Sequence, residues 1–210
     1  TSLGSIKLSK KEVKEMVPTI GRTSVLGFFV GVLPGAGATI ASFLAWGFER
    51  SIASAKDKLK FGKGSVKGLA APETANNAAC TGSFVPLLTL GIPGSGTTAV
   101  MLGALLSFGV QPGPRLYVEQ PELFWAVIIS MYIGNVVLLV LNLPLIPYIA
   151  RILTITKNIL VPLVLFFSVT GVYLISFNSF DIYFMAIVAL ISLVLRVLNY
   201  PMPPLILGFI

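Results

Sequence analysis

The sequence predicts an all-α integral membrane protein with several crossings, on three observations. Of 210 residues, 55% are hydrophobic and 11% charged, whereas soluble domains carry about 25% charged residues. The charges gather in a few places and leave residues 23–48 and 74–114 with none. Within both uncharged stretches the apolar run is interrupted by Pro-Gly-x-Gly, at Pro34–Gly37 and Pro93–Gly96. Such breaks expose backbone N–H and C=O groups, which at membrane depth are tolerated only inside protein or against a polar cavity. The predicted class is therefore polytopic, with re-entrant or broken helices at the two motifs.

Composition narrows the chemistry. Net charge is +7, from 15 basic and 8 acidic residues. The basic excess sits in two patches, which is a topology signal and not a nucleic-acid footprint. Cys80 is the single cysteine, so no intrachain disulfide forms, and histidine is missing. That removes the commonest general base and metal ligand. Residues 1–22 lack the apolar core of a cleavable signal peptide. The chain starts on Thr1 and stops at Ile210 within a fresh apolar run, so it reads as a fragment of a longer subunit, a single transmembrane domain over 1–210.

Residues 1–22 are polar and carry Lys7, Lys10, Lys11, Lys14 and Arg22. Ser9-Lys10-Lys11-Glu12 fits a capping box opening a short cytoplasmic helix that Pro18 limits. Residues 23–48 form the first broken segment. Gly27, Gly31 and Gly35 at i, i+4 and i+8 form a small-residue ridge suited to close helix packing. The loop of residues 49–75 adds Arg50, Lys56, Lys58, Lys60, Lys63 and Lys67. The positive-inside rule prefers both basic flanks in the cytoplasm, which a single span between them cannot satisfy. A re-entrant hairpin turning at Pro34–Gly37 can; a frustrated single span is the other reading. Pro72 and Glu73 suit the first turn of a new helix. Residues 76–114 form the second broken segment, whose arms of about 14 residues reach roughly 21 Å as helix, short of a hydrocarbon core of about 30 Å. Residues 123–150, 158–180 and 182–210 are further membrane segments. Tyr117, Trp125, Tyr132, Tyr148 and Tyr200 lie near segment ends, where aromatic residues favour the interface.

The two breaks echo each other. Leu33-Pro-Gly-Ala-Gly-Ala-Thr39 parallels Ile92-Pro-Gly-Ser-Gly-Thr-Thr98, 59 residues later. Paired Gly/Pro-interrupted apolar segments point to a transporter binding site. Gly35, Gly37 and Gly96 let a ligand approach the backbone. The half-helix that follows each break starts with free N–H groups and a positive dipole end suited to an anion. Thr39, Ser95, Thr97 and Thr98 add hydroxyl donors, unless they bond back to their own helices. Carbonyls of the preceding half-helix, with Asn76 or Asn77, suit a cation; the plainer role for the two amides is to join helices.

Motifs of soluble sites fail. Gly94–Ala99 formally matches G-x-G-x-x-G/A, but no βαβ alternation surrounds it, and neither break has a P-loop lysine. All eight acids (Glu12, Glu15, Glu49, Asp57, Glu73, Glu119, Glu122 and Asp181) lie at segment edges or in loops. That disfavours an intramembrane aspartyl protease. An enzyme is not expected, nor a metal site or cofactor.

The sequence resembles the large membrane subunit of the tripartite tricarboxylate transporter family (TctA). The resemblance rests on Gly31-Val-Leu-Pro-Gly-Ala-Gly-Ala-Thr-Ile-Ala-Ser-Phe-Leu-Ala45, Phe61-Gly-Lys-Gly64, Ala71-Pro-Glu-Thr-Ala-Asn-Asn77 and Val85-Pro-Leu-Leu-Thr-Leu-Gly-Ile-Pro-Gly-Ser-Gly-Thr-Thr-Ala-Val100. It continues through Gly109-Val-Gln-Pro-Gly-Pro114 and Pro203-Pro-Leu-Ile-Leu-Gly208, so it covers essentially the whole chain. It implies roughly the C-terminal half of a bacterial inner-membrane secondary transporter subunit. The implied partners are a small membrane subunit and a periplasmic solute-binding protein that delivers citrate-like tricarboxylates or other organic acids. Uptake would be symport with Na⁺ or H⁺. The rival expectation is a scaffold subunit whose breaks serve helix packing only.

Overall fold

The computed structural model describes residues 8–152 and 157–209, so Lys7 of the basic segment and the final Ile210 lie outside the described residues. Most of these residues are helical, with no strand among them. The helices fall into two units, one ending at Gly134 and one beginning at Asn135.

In the first unit, α1 (Lys10–Val32) opens with the expected capping box: Ser9 N donates to Glu12 Oε2 at 2.7 Å and Glu12 N donates to Ser9 Oγ at 3.3 Å. Pro18 does not limit the helix, as its sequence position suggests; α1 runs through it for fourteen more residues. A proline inside a helix removes one backbone bond, and tertiary packing outweighs that loss. Thr19, Thr23, Gly27 and Gly31 are all buried, one turn apart.

After the break, α2 (Gly37–Ile52) returns along α1. The turn needs glycine at two places, Gly35 (φ 85°) and Gly37 (φ 66°), because a side chain is strained at positive φ. The short helix α3 (Ala55–Lys58) follows, capped by Ser54 Oγ, and Asp57 lies within 3.7 Å of Lys60 and 3.6 Å of Lys67. Next, α4 (Val66–Gly82) starts earlier than expected. Ser65 is its N-cap, accepting from Gly68 N at 3.0 Å, and Pro72 sits inside it. The serine satisfies an end donor that Pro72 cannot.

Three period-four stripes of small residues bring α1, α2 and α4 together. Ala41 and Ala45 of α2 and Ala71, Ala75 and Ala79 of α4 are buried to 1% exposure or less. A Cβ placed on Gly27 would lie 2.6 Å from Ala75 Cα, and one on Gly31 would lie 2.5 Å from Ala79 Cα. Only glycine permits that approach. Of the expected Gly27–Gly31–Gly35 ridge, two members pack and the third makes the turn.

The chain continues as α5 (Phe84–Leu90), α6 (Gly96–Ser107) and α7 (Leu116–Glu119). Gly91 ends α5 in the left-handed region (φ 71°), with its own N–H on Leu87 O and Ile92 N–H on Pro86 O. This is the glycine helix stop. Leu88, Val110 and Leu116 form a second small core with Leu105, Leu123 and Phe124 against it.

The helix α8 (Pro121–Ile152) carries the chain into the second unit, which holds α9 (Lys157–Ser176), α10 (Ser179–Val197) and α11 (Met202–Phe209). The sequence places a boundary at Asp181, but α10 begins at Ser179 with Asn178 as N-cap and Asp181 in its first turn. A carboxylate is favourable there, so the charge marks a helix start. Likewise, the expected segment 182–210 divides into α10 and α11. Among the described residues, three stretches are long and apolar enough to cross a membrane: Pro121–Ile149, Asn158–Ser176 and Ser179–Val197.

Candidate functional site

The two Pro-Gly-x-Gly breaks meet. Gly35 N donates to Gly94 O at 3.3 Å, joining backbone to backbone across the 59-residue repeat. Gly94 is buried, and a Cβ there would lie 3.1 Å from Ser83 Cβ and 3.3 Å from Gly31 O. Ser83 is buried beneath it, its hydroxyl donating to Cys80 O at 2.7 Å. The second break is thus seated in a notch between the ends of α1 and α4. Around Gly35, Gly37 and Gly96 the space is open: a Cβ on any of them would meet nothing within 4 Å.

The expected hydroxyls divide into two pairs. Ser95 and Thr98 form a capping box at the start of α6. Ser95 N donates to Thr98 Oγ1 at 2.8 Å, Thr98 N donates to Ser95 Oγ at 3.3 Å, and Thr98 Oγ1 donates to Ser95 O at 2.9 Å. Thr98 is 1% exposed. These two side chains are spent on each other's backbone N–H groups. Thr39 and Thr97 are exposed, and neither hydroxyl has a partner among the described residues. Gly96 and Thr97 occupy the first two helical positions of α6, so their N–H groups have no partner within the helix. One hydroxyl and two backbone donors therefore converge on the first turn of α6.

The two amides do not act together. Asn76 Nδ2 donates to Ser42 Oγ at 3.3 Å, and that hydroxyl is 2.9 Å from Ala38 O and 3.2 Å from Pro72 O. Asn76 therefore joins α4 to α2. Asn77 is exposed and donates to Glu73 O of its own helix at 3.0 Å. Successive helical residues diverge by about 100°, which separates the two side chains. No cluster of three His, Cys, Asp or Glu side chains occurs among the described residues.

A polar site that sequence reading missed lies at the other end of the hairpin. Glu49, placed at a segment edge, is 2% exposed. Arg22 grips it at two points, Nε to Oε1 at 2.8 Å and Nη2 to Oε2 at 2.9 Å, and Thr19 Oγ1 donates to Oε2 at 3.1 Å. Burial pushes the carboxyl pKa up, but the Arg22 and Thr19 hydrogen bonds outweigh it and hold it below the ordinary glutamate value. A signal was available: Arg22 and Glu49 are opposite charges equidistant from Gly35–Ala36. A hairpin turning there brings them to the same level.

Comparison with known proteins bears on the whole chain. Residues 1–207 match the model of the tripartite tricarboxylate transporter TctA family. An uncharacterised 52.8 kDa protein in the TAR-I ttuC' 3' region of Agrobacterium vitis is 41% identical over 203 residues, which is 97% of this chain and 40% of that protein. An uncharacterised protein in the TAR-II ttuC' 3' region of the same organism is 43% identical over 184 residues, 88% of this chain and 75% of that protein. The chain thus spans less than half of the first relative and three quarters of the second. No solved structure matches it.

Proposed function

Because this chain belongs to the tripartite tricarboxylate transporter TctA family, a family of transporter membrane components and not of enzymes, we propose that its joined breaks form part of the path for an organic acid. The chain is a multi-pass membrane protein by family and by its three span-length helices. The proposal places it in a bacterial inner membrane, with the hairpin α1–α2 re-entrant and the basic loop cytoplasmic. It works there with a small membrane subunit and a periplasmic binding protein that delivers the acid. Substrate carboxylates are held by Thr39 and Thr97 and by the N–H groups of Gly96 and Thr97, beside Gly35 and Gly37. Ser95 and Thr98 hold the α6 terminus in place. The coupling ion is Na⁺ or H⁺; for Na⁺, Asn77 Oδ1 and helix-end carbonyls near Asn76 and Asn77 are the acceptors, whereas a proton would need a titratable side chain. No other cofactor is invoked.

The observation that carries this reading is the first turn of α6, where an exposed hydroxyl and unpaired N–H groups sit beside a backbone joint to the other break. Such helix starts bind carboxylates without a charged side chain. The test is Thr97→Cys in a Cys80→Ala background, labelled with a membrane-impermeant thiol reagent from each side, with and without a tricarboxylate. Labelling that the tricarboxylate suppresses is expected. Labelling indifferent to tricarboxylate and cation, or none from either side, defeats the assignment. The rival is a packing-only scaffold, which the close seat of Gly94 favours. It predicts that Gly94→Ala lowers the amount of protein in the membrane and that Thr97→Ala leaves the uptake rate unchanged.

A further inference from the structure

A basic concavity lies away from the breaks. A cavity of about 450 Å³ between the first half of α1 and the start of α4 is lined by Lys11, Lys14, Glu15, Pro18, Arg22 and Lys67. Four cations face one carboxylate. Lys11 and Lys14 are exposed and have no ion-pair partner among the described residues. Arg22 uses Nε and Nη2 on Glu49 and keeps Nη1 for another acceptor. Lys67 is 3.6 Å from Asp57.

Its position along the chain matters as much as its charge. Arg22 is the last charge before the uncharged stretch 23–48, and Glu49 is the first after it. The two touch, so their ion pair marks the edge of the apolar hairpin. The cavity opens on the polar side of that edge. If the hairpin enters the bilayer, as proposed above, this is the depth of the lipid phosphates. Basic pockets at that level recognise anionic headgroups.

We infer that this cavity binds the phosphate headgroup of an anionic phospholipid. Lys11 and Lys14 supply the long-range attraction, and Arg22 Nη1 and Lys67 supply fixed donors at the membrane edge. Glu15 opposes phosphate binding, but the four cations outnumber it, and that positive excess repels the cation a zwitterionic headgroup brings.

The test is titration of the purified full-length protein in detergent with phosphatidylglycerol, read by native mass spectrometry. Phosphatidylcholine, inorganic phosphate and citrate are the comparison ligands. Phosphatidylglycerol is expected to bind, and phosphatidylcholine to bind far more weakly. The double variant K11Q/K14Q should weaken phosphatidylglycerol about 30-fold, the factor two basic residues near a membrane surface supply. K56Q/K63Q, with the same charge loss outside the cavity, should bind as the parent does. If K11Q/K14Q does not fold, K67Q replaces it with a smaller expected loss. Equal binding of phosphatidylcholine, undiminished binding by the cavity variant, or displacement by phosphate or citrate at matching concentrations would each overturn the inference. The last result would make the cavity a soluble-anion site. Uptake is not the readout, so a failure here leaves the transport reading standing, while a failed Thr97 labelling test leaves lipid binding to be judged by itself.

Discussion

Removing the Arg22 guanidinium would strand a carboxylate that water barely reaches, because Glu49 is 2% exposed. Breaking a buried pair from that side costs about 3–5 kcal/mol. Removing the charge on Glu49 instead leaves Arg22, whose side chain is 44% exposed and can be hydrated. Arg22→Ala should therefore destabilise the protein more than Glu49→Gln, which should cost about 1–3 kcal/mol. Thermal unfolding in detergent compares them, and an equal or reversed order would refute the burial argument. The pH dependence has a definite sign. The folded-state pKa of Glu49 is lowered, so the stabilisation is complete above the ordinary glutamate range and disappears as pH falls through the lowered value. The gap in unfolding temperature between parent and Glu49→Gln should close in acid. Adjacent threonines should also separate. Thr98→Ala removes half of a capping box and should cost about 1 kcal/mol. Thr97→Ala should leave stability unchanged and reduce uptake, measured at equal membrane levels.

At the scale of helices, glycines with the same propensity have opposite uses. Gly27 and Gly31 lie against the Ala75 and Ala79 backbone, whereas a Cβ on Gly21 of α1 or Gly47 of α2 would meet nothing within 4 Å. Gly27→Ala or Gly31→Ala should force α1 from α4 and lower the unfolding temperature. Gly21→Ala and Gly47→Ala should be neutral or should stabilise by about 0.5–1 kcal/mol, since alanine fits a helix better. A loss at Gly21 as large as at Gly31 would contradict the close-packing account. This contrast also shows what was legible in the sequence. The period-four spacing of small residues announced a packing ridge, and the capping box at Ser9 announced where α1 starts. The identity of the facing helix was not legible, because Ala71, Ala75 and Ala79 form an equally plain stripe whose partner only the fold selects. Pro18 and Pro72 misled for a related reason. A proline's local cost is fixed, whereas the packing that outweighs it is set by residues distant in sequence. At the site, the Pro-Gly-x-Gly repeat marked both breaks. Which hydroxyls close a helix end and which stay open was settled by one turn of backbone.

For the whole molecule, the strongest expectation concerns sidedness. The basic residues flanking the hairpin belong on one side of the membrane by the positive-inside rule. Lys10→Cys and Lys60→Cys, each in a Cys80→Ala background, should both react with an impermeant reagent from the cytoplasmic side only. Labelling of the two from opposite faces would make residues 23–48 a true crossing and remove the re-entrant hairpin. The span-length helices α8, α9 and α10 leave their apolar windows unburied by the chain itself, so lipid or other protein must cover them. The meeting of Gly35 with Gly94 has a wider consequence. That contact is written in main-chain atoms only, and the exposed side chains of Thr39 and Thr97 take no part in it. The joint is thus indifferent to which side chains stand at positions 39 and 97. On the proposed transport role, two exposed side chains can be rewritten for a different acid while the main-chain joint between the repeats stays as it is.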